Sequence, residues 1–318
     1  MINNRLSIVP VLLFPLALGA QAVPEFDGNR AFGFLEAQCA LGPRNPGSEG
    51  HRKGLEYIVD LVTPLADTVI VQSFSHGDPY SRAMLELTNV IAQFRPGMSE
   101  RIWLSAHWDT RPWADRDPTR ANRKKPILGA NDGASGVAVL LELAQLLSST
   151  PPPVGIDLLF LDGEDMGKQG DLDHFFNGSR YLVRNVPTRM PVHAIIVDMV
   201  GDEELELPIE ENSWIQAPGL VEELWGLAES LGLVQFESRI GYSVADDHVV
   251  MFQEGGIPAV DIIDFHYPNR YTNYWHTLQD TPDKCSPESL QAVGTLLVHH
   301  IYGRGTKPQG VKRRYRGE

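Results

Sequence analysis

Short apolar runs rich in Val, Ile and Leu recur along this chain, and several of them end in a charged side chain. The run 102–106 leads into His107-Trp108-Asp109, 158–161 into Asp162-Gly163-Glu164-Asp165, and 195–197 into Asp198. Near-continuous apolar runs of this length suit strands covered on both faces. The candidate strands are 68–75, 84–92, 101–107, 155–162, 194–200 and 258–264, and helical patterns occupy 50–65, 136–147, 220–231 and 287–301. Strands interleaved with helices predict an α/β fold: a single domain over about 32–302, whose central, mostly parallel sheet has helices on both faces. In open sheets of this kind the binding crevice lies beyond the carboxyl ends of the strands, where these charged residues would meet.

Two further residues belong with that rim. Asp132 sits in Gly129-Ala130-Asn131-Asp132-Gly133-Ala134-Ser135-Gly136, ahead of a helix that reads as amphipathic, and His276 follows the last predicted strand. Each residue alone has an ordinary use, since an Asp after a strand caps or turns and a His beside a Trp is commonly a buried side chain. Five or six such positions at the ends of successive elements point instead to a shared metal. Only two cysteines are present, Cys39 and Cys285, so His, Asp and Glu must hold it. Imidazole nitrogen with carboxylate oxygen is a normal ligand set for Zn²⁺. Adjacent acids such as Glu164 and Asp165 let one act as a base while its neighbour grips the ion.

Charge and targeting narrow the setting. A net charge of −14 disfavours a nucleic-acid partner, because phosphate neutralisation needs clustered cations. Arg5, the apolar stretch 6–18 and Ala20-Gln21-Ala22 form the pattern of a secretory signal peptide over 1–22. The apolar stretch is shorter than the roughly 20 residues a membrane span needs, so no membrane attachment is expected after cleavage. The expected location is periplasmic or secreted, where Cys39 and Cys285 are free to pair. The segment 303–318, with Lys307, Lys312, Arg313, Arg314 and Arg316, reads as a solvated basic tail. A monomer is expected.

The segments His107-Trp108-Asp109, 129–136, 162–165, Asp198-Met199-Val200-Gly201, Asp246-Asp247-His248 and Trp275-His276-Thr277 come in the same order as in the zinc exopeptidase superfamily, which the chain resembles over nearly its whole mature length. That superfamily contains the co-catalytic aminopeptidases and the animal-type glutaminyl cyclases. The early Gly42-Pro43-Arg44-Asn45-Pro46-Gly47-Ser48 is similar to its N-terminal loop. Asp246-Asp247 before His248, and Trp275 before His276, look more like the cyclases, and 107–115 is similar to their secreted bacterial members.

The resemblance implies one Zn²⁺ held by Asp132, Asp165 and His276. It implies Glu164 as the acid–base group, Asp198 and Asp246 in a carboxylate network with it, and Trp275 as a wall of the pocket. The implied substrate is a peptide or protein with N-terminal glutamine, converted to pyroglutamate with release of ammonia. Every aminopeptidase ligand position is also filled, so a two-metal aminopeptidase using His107 and Asp198 at the second site is the alternative. A non-catalytic binding domain of the same fold is the third. One departure concerns pocket shape: no Trp follows Glu164-Asp165, where animal cyclases carry one.

Overall fold

The computed structural model describes residues 23–304. The expected signal peptide over 1–22 and most of the expected basic tail lie outside the described residues. The chain runs α1 (Gly28–Ala40), α2 (Glu49–Val62), β1 (Thr68–Gly77), β2 (Met84–Phe94), β3 (Arg101–His107), α3 (Ala134–Ser149), β4 (Gly155–Leu161) and α4 (Asn177–Arg184). It continues through β5 (His193–Asp198), β6 (Leu207–Ile209), α5 (Glu211–Gln216), α6 (Pro218–Leu231), β7 (Phe236–Ile240), α7 (Asp247–Gln253), β8 (Ala259–Ile263) and α8 (Pro287–Gly303).

The main sheet has the order β1-β2-β4-β3-β5-β8. Strands β4, β3, β5 and β8 are parallel, while β2 pairs antiparallel with both β1 and β4. The α/β class and mostly parallel sheet expected from the sequence are therefore present, with a hairpin added at one edge. That hairpin leaves β1 as an edge strand, and its side chains are largely exposed.

Period-two alternation divides the core between the two faces. Ile102, Leu104 and Ala106 of β3, Ile156, Leu158 and Phe160 of β4, and Ile195 and Val197 of β5 join the larger cluster with α1, α3 and α8. Trp103, Leu159, Leu161, Ala194 and Ile196 point the other way, toward Leu182 of α4 and Met251 of α7. Both faces are thus covered, which is why these strands read as unbroken apolar runs rather than as alternating ones.

Helix α3 departs from its amphipathic reading: it is buried on nearly every side, because α1, α8 and the sheet surround it. Its first turn lies against β5, and a Cβ on Gly136 would stand 2.1 Å from the Val197 carbonyl oxygen. Only glycine permits that approach. Helix α2 starts where the Ser48 hydroxyl accepts from the His51 amide at 3.0 Å, and Pro287 opens α8 behind the Ser286 cap. No helix among the described residues is long and apolar enough to cross a membrane. Cys39 and Cys285 are both buried and free.

Candidate metal centre and active-site pocket

Parallel strands β3 and β5 deliver His107 and Asp198 at their carboxyl ends, and the loop after β4 delivers Glu164 and Asp165. Asp132 comes from the turn before α3. That turn is closed by Gly133 at φ 102°, where a Cβ would meet the Asp109 carbonyl at 2.8 Å and the His107 ring at 3.2 Å. The backbone amides of Asn131 and Asp132 donate to Asp280, and those of Glu164 and Asp165 donate to Asp109. Two buried carboxylates therefore fix the two loops that carry the acids.

Two donor trios share Asp132. Asp132, Asp165 and His276 have ligand atoms within 4.8 Å of one another, and so do His107, Asp132 and Asp198. His276 Nε2 lies 3.5 Å from Asp132 Oδ2 and 3.4 Å from Asp165 Oδ1. His107 Nε2 lies 3.3 Å from Asp132 Oδ1 and 3.2 Å from Asp198 Oδ1. Asp132 Oδ2 and Asp165 Oδ2 are buried with no hydrogen-bond partner. Orphaned carboxylate oxygens carry a desolvation penalty that a cation between them would remove, so the donor set fits a divalent metal ion.

Both imidazoles are oriented from behind. His276 Nδ1 faces Asp115 Oδ1 at 3.5 Å, and Asp115 is gripped by Arg111 through bonds of 2.9 and 2.7 Å. His107 Nδ1 faces Asp109 at 3.6 Å. A carboxylate on the outer ring nitrogen fixes the imidazole's tautomer and direction for metal binding. Arg111 also donates to Asp165 Oδ1 at 2.6 Å. No role for Arg111 or Asp115 is legible in the sequence, because they act on Asp165 and His276, 54 and 161 positions away, and Asp109 stood there only as part of the His107-Trp108-Asp109 segment.

Electrostatics follow from burial. Burial pushes Glu164 well above the usual carboxylate range, His107 opposes this, and Asp165, Asp246 and Asp247 reinforce it. Asp246 is raised to about 6 by burial and by the charge of Asp198. Burial pushes Asp165 up as well, but His276 and Arg111 outweigh it and hold that group below its ordinary value. For His276, burial opposes the charged form while Asp165 and Asp115 favour it more strongly, so the ring is raised.

Glu164, Asp198, Asp246, Trp275 and His276 line one cavity of about 240 Å³, together with Asp132 and Asp165. His107 does not line it and is 2% exposed. Trp275 stacks on His276 with ring centroids 3.7 Å apart and packs against Phe265 at 4.8 Å. In place of an indole after Glu164-Asp165, Leu172, Phe175 and Phe176 supply the apolar wall. Phe176, Met199 and His276 all hold positive φ, of 61°, 49° and 57°. Left-handed backbone at non-glycine residues costs energy and clusters at functional sites, where surrounding structure enforces it.

Comparison with known proteins gives the family. The chain is 28% identical to a glutaminyl-peptide cyclotransferase-like protein of Mus musculus, over 87% of this chain and 76% of the relative. Among solved structures it is similar to Tannerella forsythia glutaminyl cyclase, at 35% identity and a TM-score of 0.84, covering 88% of this chain and 99% of that one. It is also similar to a Bacteroides thetaiotaomicron structure described as a leucine aminopeptidase precursor, at 36% identity and a TM-score of 0.83, covering 88% and 98%. Residues 89–301 match the model of peptidase family M28, and the chain belongs to that family.

Proposed function

We propose that this protein is a zinc-dependent glutaminyl-peptide cyclotransferase, converting the N-terminal glutamine of peptides or proteins to pyroglutamate with release of ammonia. The observation that carries the reading is the shared cavity. It is lined by the Asp132, Asp165 and His276 trio, by Glu164 and by the aromatic side chains of Phe175, Phe176 and Trp275, and its volume of about 240 Å³ suits one short side chain. The relatives named glutaminyl cyclases support the same choice of substrate.

Zn²⁺ held by Asp132, Asp165 and His276 would supply Lewis-acid polarisation of the substrate's side-chain carboxamide. The remaining work falls to the chain itself. The aromatic wall holds the glutamine side chain so that its own α-amine faces the carboxamide carbon, and this tethering gives a high effective molarity. The amine titrates near pH 8 when free, so a fraction is neutral at pH 7. As the new C–N bond forms, Glu164 takes the proton from the amine. It then returns that proton to the departing nitrogen, the old C–N bond breaks, and ammonia leaves. Asp198 and Asp246 keep Glu164 in a network where close carboxylates cannot all ionise, which favours a shared proton.

The second trio, His107, Asp132 and Asp198, favours one other reading: an aminopeptidase with two metals, in which Glu164 would deprotonate the attacking water. One assay separates the two. Incubation with a glutamine-starting peptide is expected to yield ammonia and a blocked N-terminus, and the appearance of free glutamine with a shortened peptide would establish the aminopeptidase instead. Metal content is a second measure, at about one zinc per chain for the cyclase and two for the aminopeptidase. Residues 1–22 would direct export and be removed, leaving a monomeric periplasmic or secreted enzyme.

A further inference from the structure

A second cleft, of about 590 Å³, opens beside the first and shares Asp115 and Gln169 with it. Tyr80 and Trp113 meet edge to face in its wall with centroids 5.5 Å apart, and Lys168 Nζ lies 4.3 Å from the Tyr80 ring and 5.5 Å from the Trp113 ring. Arg123 and Lys124 also line it. All three cations are exposed, and among the described residues none of them forms an ion pair.

The two acids in this cleft are already committed. Asp115 is held by Arg111 and faces His276, while Asp78 accepts from the amides of Tyr80 and Ser81 and from the Ser81 hydroxyl. Trp113 Nε1 is buried without a hydrogen-bond partner. Arg116, from the same segment, lines the first cavity with its guanidinium 5.0 Å from the Trp275 ring. On a chain with a net charge of −14, Lys124, Lys168 and Arg123, whose Nε donates to the Asp117 carbonyl at 2.8 Å, place exposed positive charge beside the active-site mouth. Such a patch raises the local concentration of anionic ligands and selects among them.

We propose that this cleft receives the second and third residues of the substrate and selects peptides carrying Asp or Glu at those positions. An extended chain advances about 3.3 Å per residue, so a peptide whose first side chain fills the inner cavity reaches the shared Asp115 and Gln169 border within one or two residues. The two rings give the peptide backbone an apolar surface, and Arg123, Lys124 and Lys168 meet its carboxylates. The inference rests on the cyclase reading.

The test measures kcat/KM for peptides beginning Gln-Glu-Glu, Gln-Ala-Ala and Gln-Lys-Lys on the zinc-loaded enzyme. The expected ratio between the first and the last is about tenfold at low salt, shrinking as ionic strength rises. The triple variant R123A/K124A/K168A should bring that ratio close to one. K168A alone should lower it, whereas R189A, which removes a surface cation from the opposite end of the strands, should not. Equal turnover of the three peptides, or a triple variant that keeps the preference, would remove the subsite and leave the cyclase standing. Ammonia release from none of them would remove both.

Discussion

Arg44, in the loop before α2, offers a sharp test of how the site is held. Its side chain is 0% exposed. Its guanidinium donates to the carbonyls of Trp108 at 3.1 Å, Leu128 at 3.2 Å and Gly129 at 2.9 Å. Trp108 follows His107 and Gly129 opens the turn that carries Asp132, so one cation fastens two ligand-bearing segments together. Arg44→Met keeps an apolar stem of similar reach but removes the donor from all three carbonyls, leaving those of Trp108 and Leu128 without it while Gly129 still accepts from the Ala134 amide at 3.2 Å. Each bond to a charged donor is worth about 1.5–3 kcal/mol. Part of this is recovered, because the buried guanidinium was itself costly to desolvate and burial holds its pKa below normal. The net expectation is a loss of about 3–5 kcal/mol. At about 2–4 °C per kcal/mol for a domain of this size, the melting temperature should fall by about 6–20 °C. Zinc affinity, measured against a competing chelator, should fall with it, because the two loops lose their common anchor. Arg44→Lys should recover little, since an ammonium cannot satisfy a fork of diverging acceptors. A methionine variant that melts within about 2 °C of the parent and binds zinc equally well would refute the assignment.

Other predictions concern the chemistry more directly. Glu164→Gln should lower kcat by about 10²–10⁴-fold while zinc stays bound, and loss of the metal would show that Glu164 is a ligand rather than the proton carrier. His276→Ala should lower both zinc content and activity, and a fully loaded variant would strike His276 from the ligand set. Asp115→Asn removes the anion behind His276, so zinc affinity should fall about 10–100-fold, and unchanged affinity in a chelator titration would contradict the orienting role. Glu210 gives a pH test away from the metal. Burial pushes its carboxyl up, but His248 Nε2 at 3.1 Å and the amides of Val244 and Asn212 outweigh it and hold it at about 2. A depressed carboxyl stabilises the fold above its unfolded value near 4.5, and that contribution is lost as pH falls toward 2. Glu210→Gln should therefore be about 3 kcal/mol less stable at neutral pH and should show a shallower acid limb, and denaturation curves that stay parallel from pH 7 to 3 would overturn this.

The residues that could be read in advance are those whose signal is local. The strands 101–107 and 155–162 were legible because both faces of each are covered, so hydrophobicity alone marks them, and the observed β3 and β4 match closely. The helix at 287–301 was legible from its apolar length. Helix α4 and helix α7 were missed because each is short, of 8 and 7 residues, and mixes polar with apolar positions. Helix α1 was missed because Gly28 and Gly33 interrupt its helical pattern, although Ala31 and Leu35 are buried against the core. The chemical types at the site were equally plain in the sequence, since acids and histidines at strand ends stand out against apolar runs. Their partners were not: Asp115 behind His276, Asp280 beneath Asp132 and Arg111 beside Asp165 lie far off in the chain, and nothing nearby distinguishes them from surface charges.

Composition and order along the chain thus decide that a layered α/β sheet forms and that its rim carries acid and imidazole, because strand burial and residue type are properties of a few neighbouring positions. Tertiary structure alone decides that Asp132 belongs to two donor trios, that Phe175 and Phe176 stand where an indole was looked for, and that Arg123, Lys124 and Lys168 gather at the mouth. Distances between side chains from different strands depend on how the sheet twists and how its loops return, and no window of sequence contains that information.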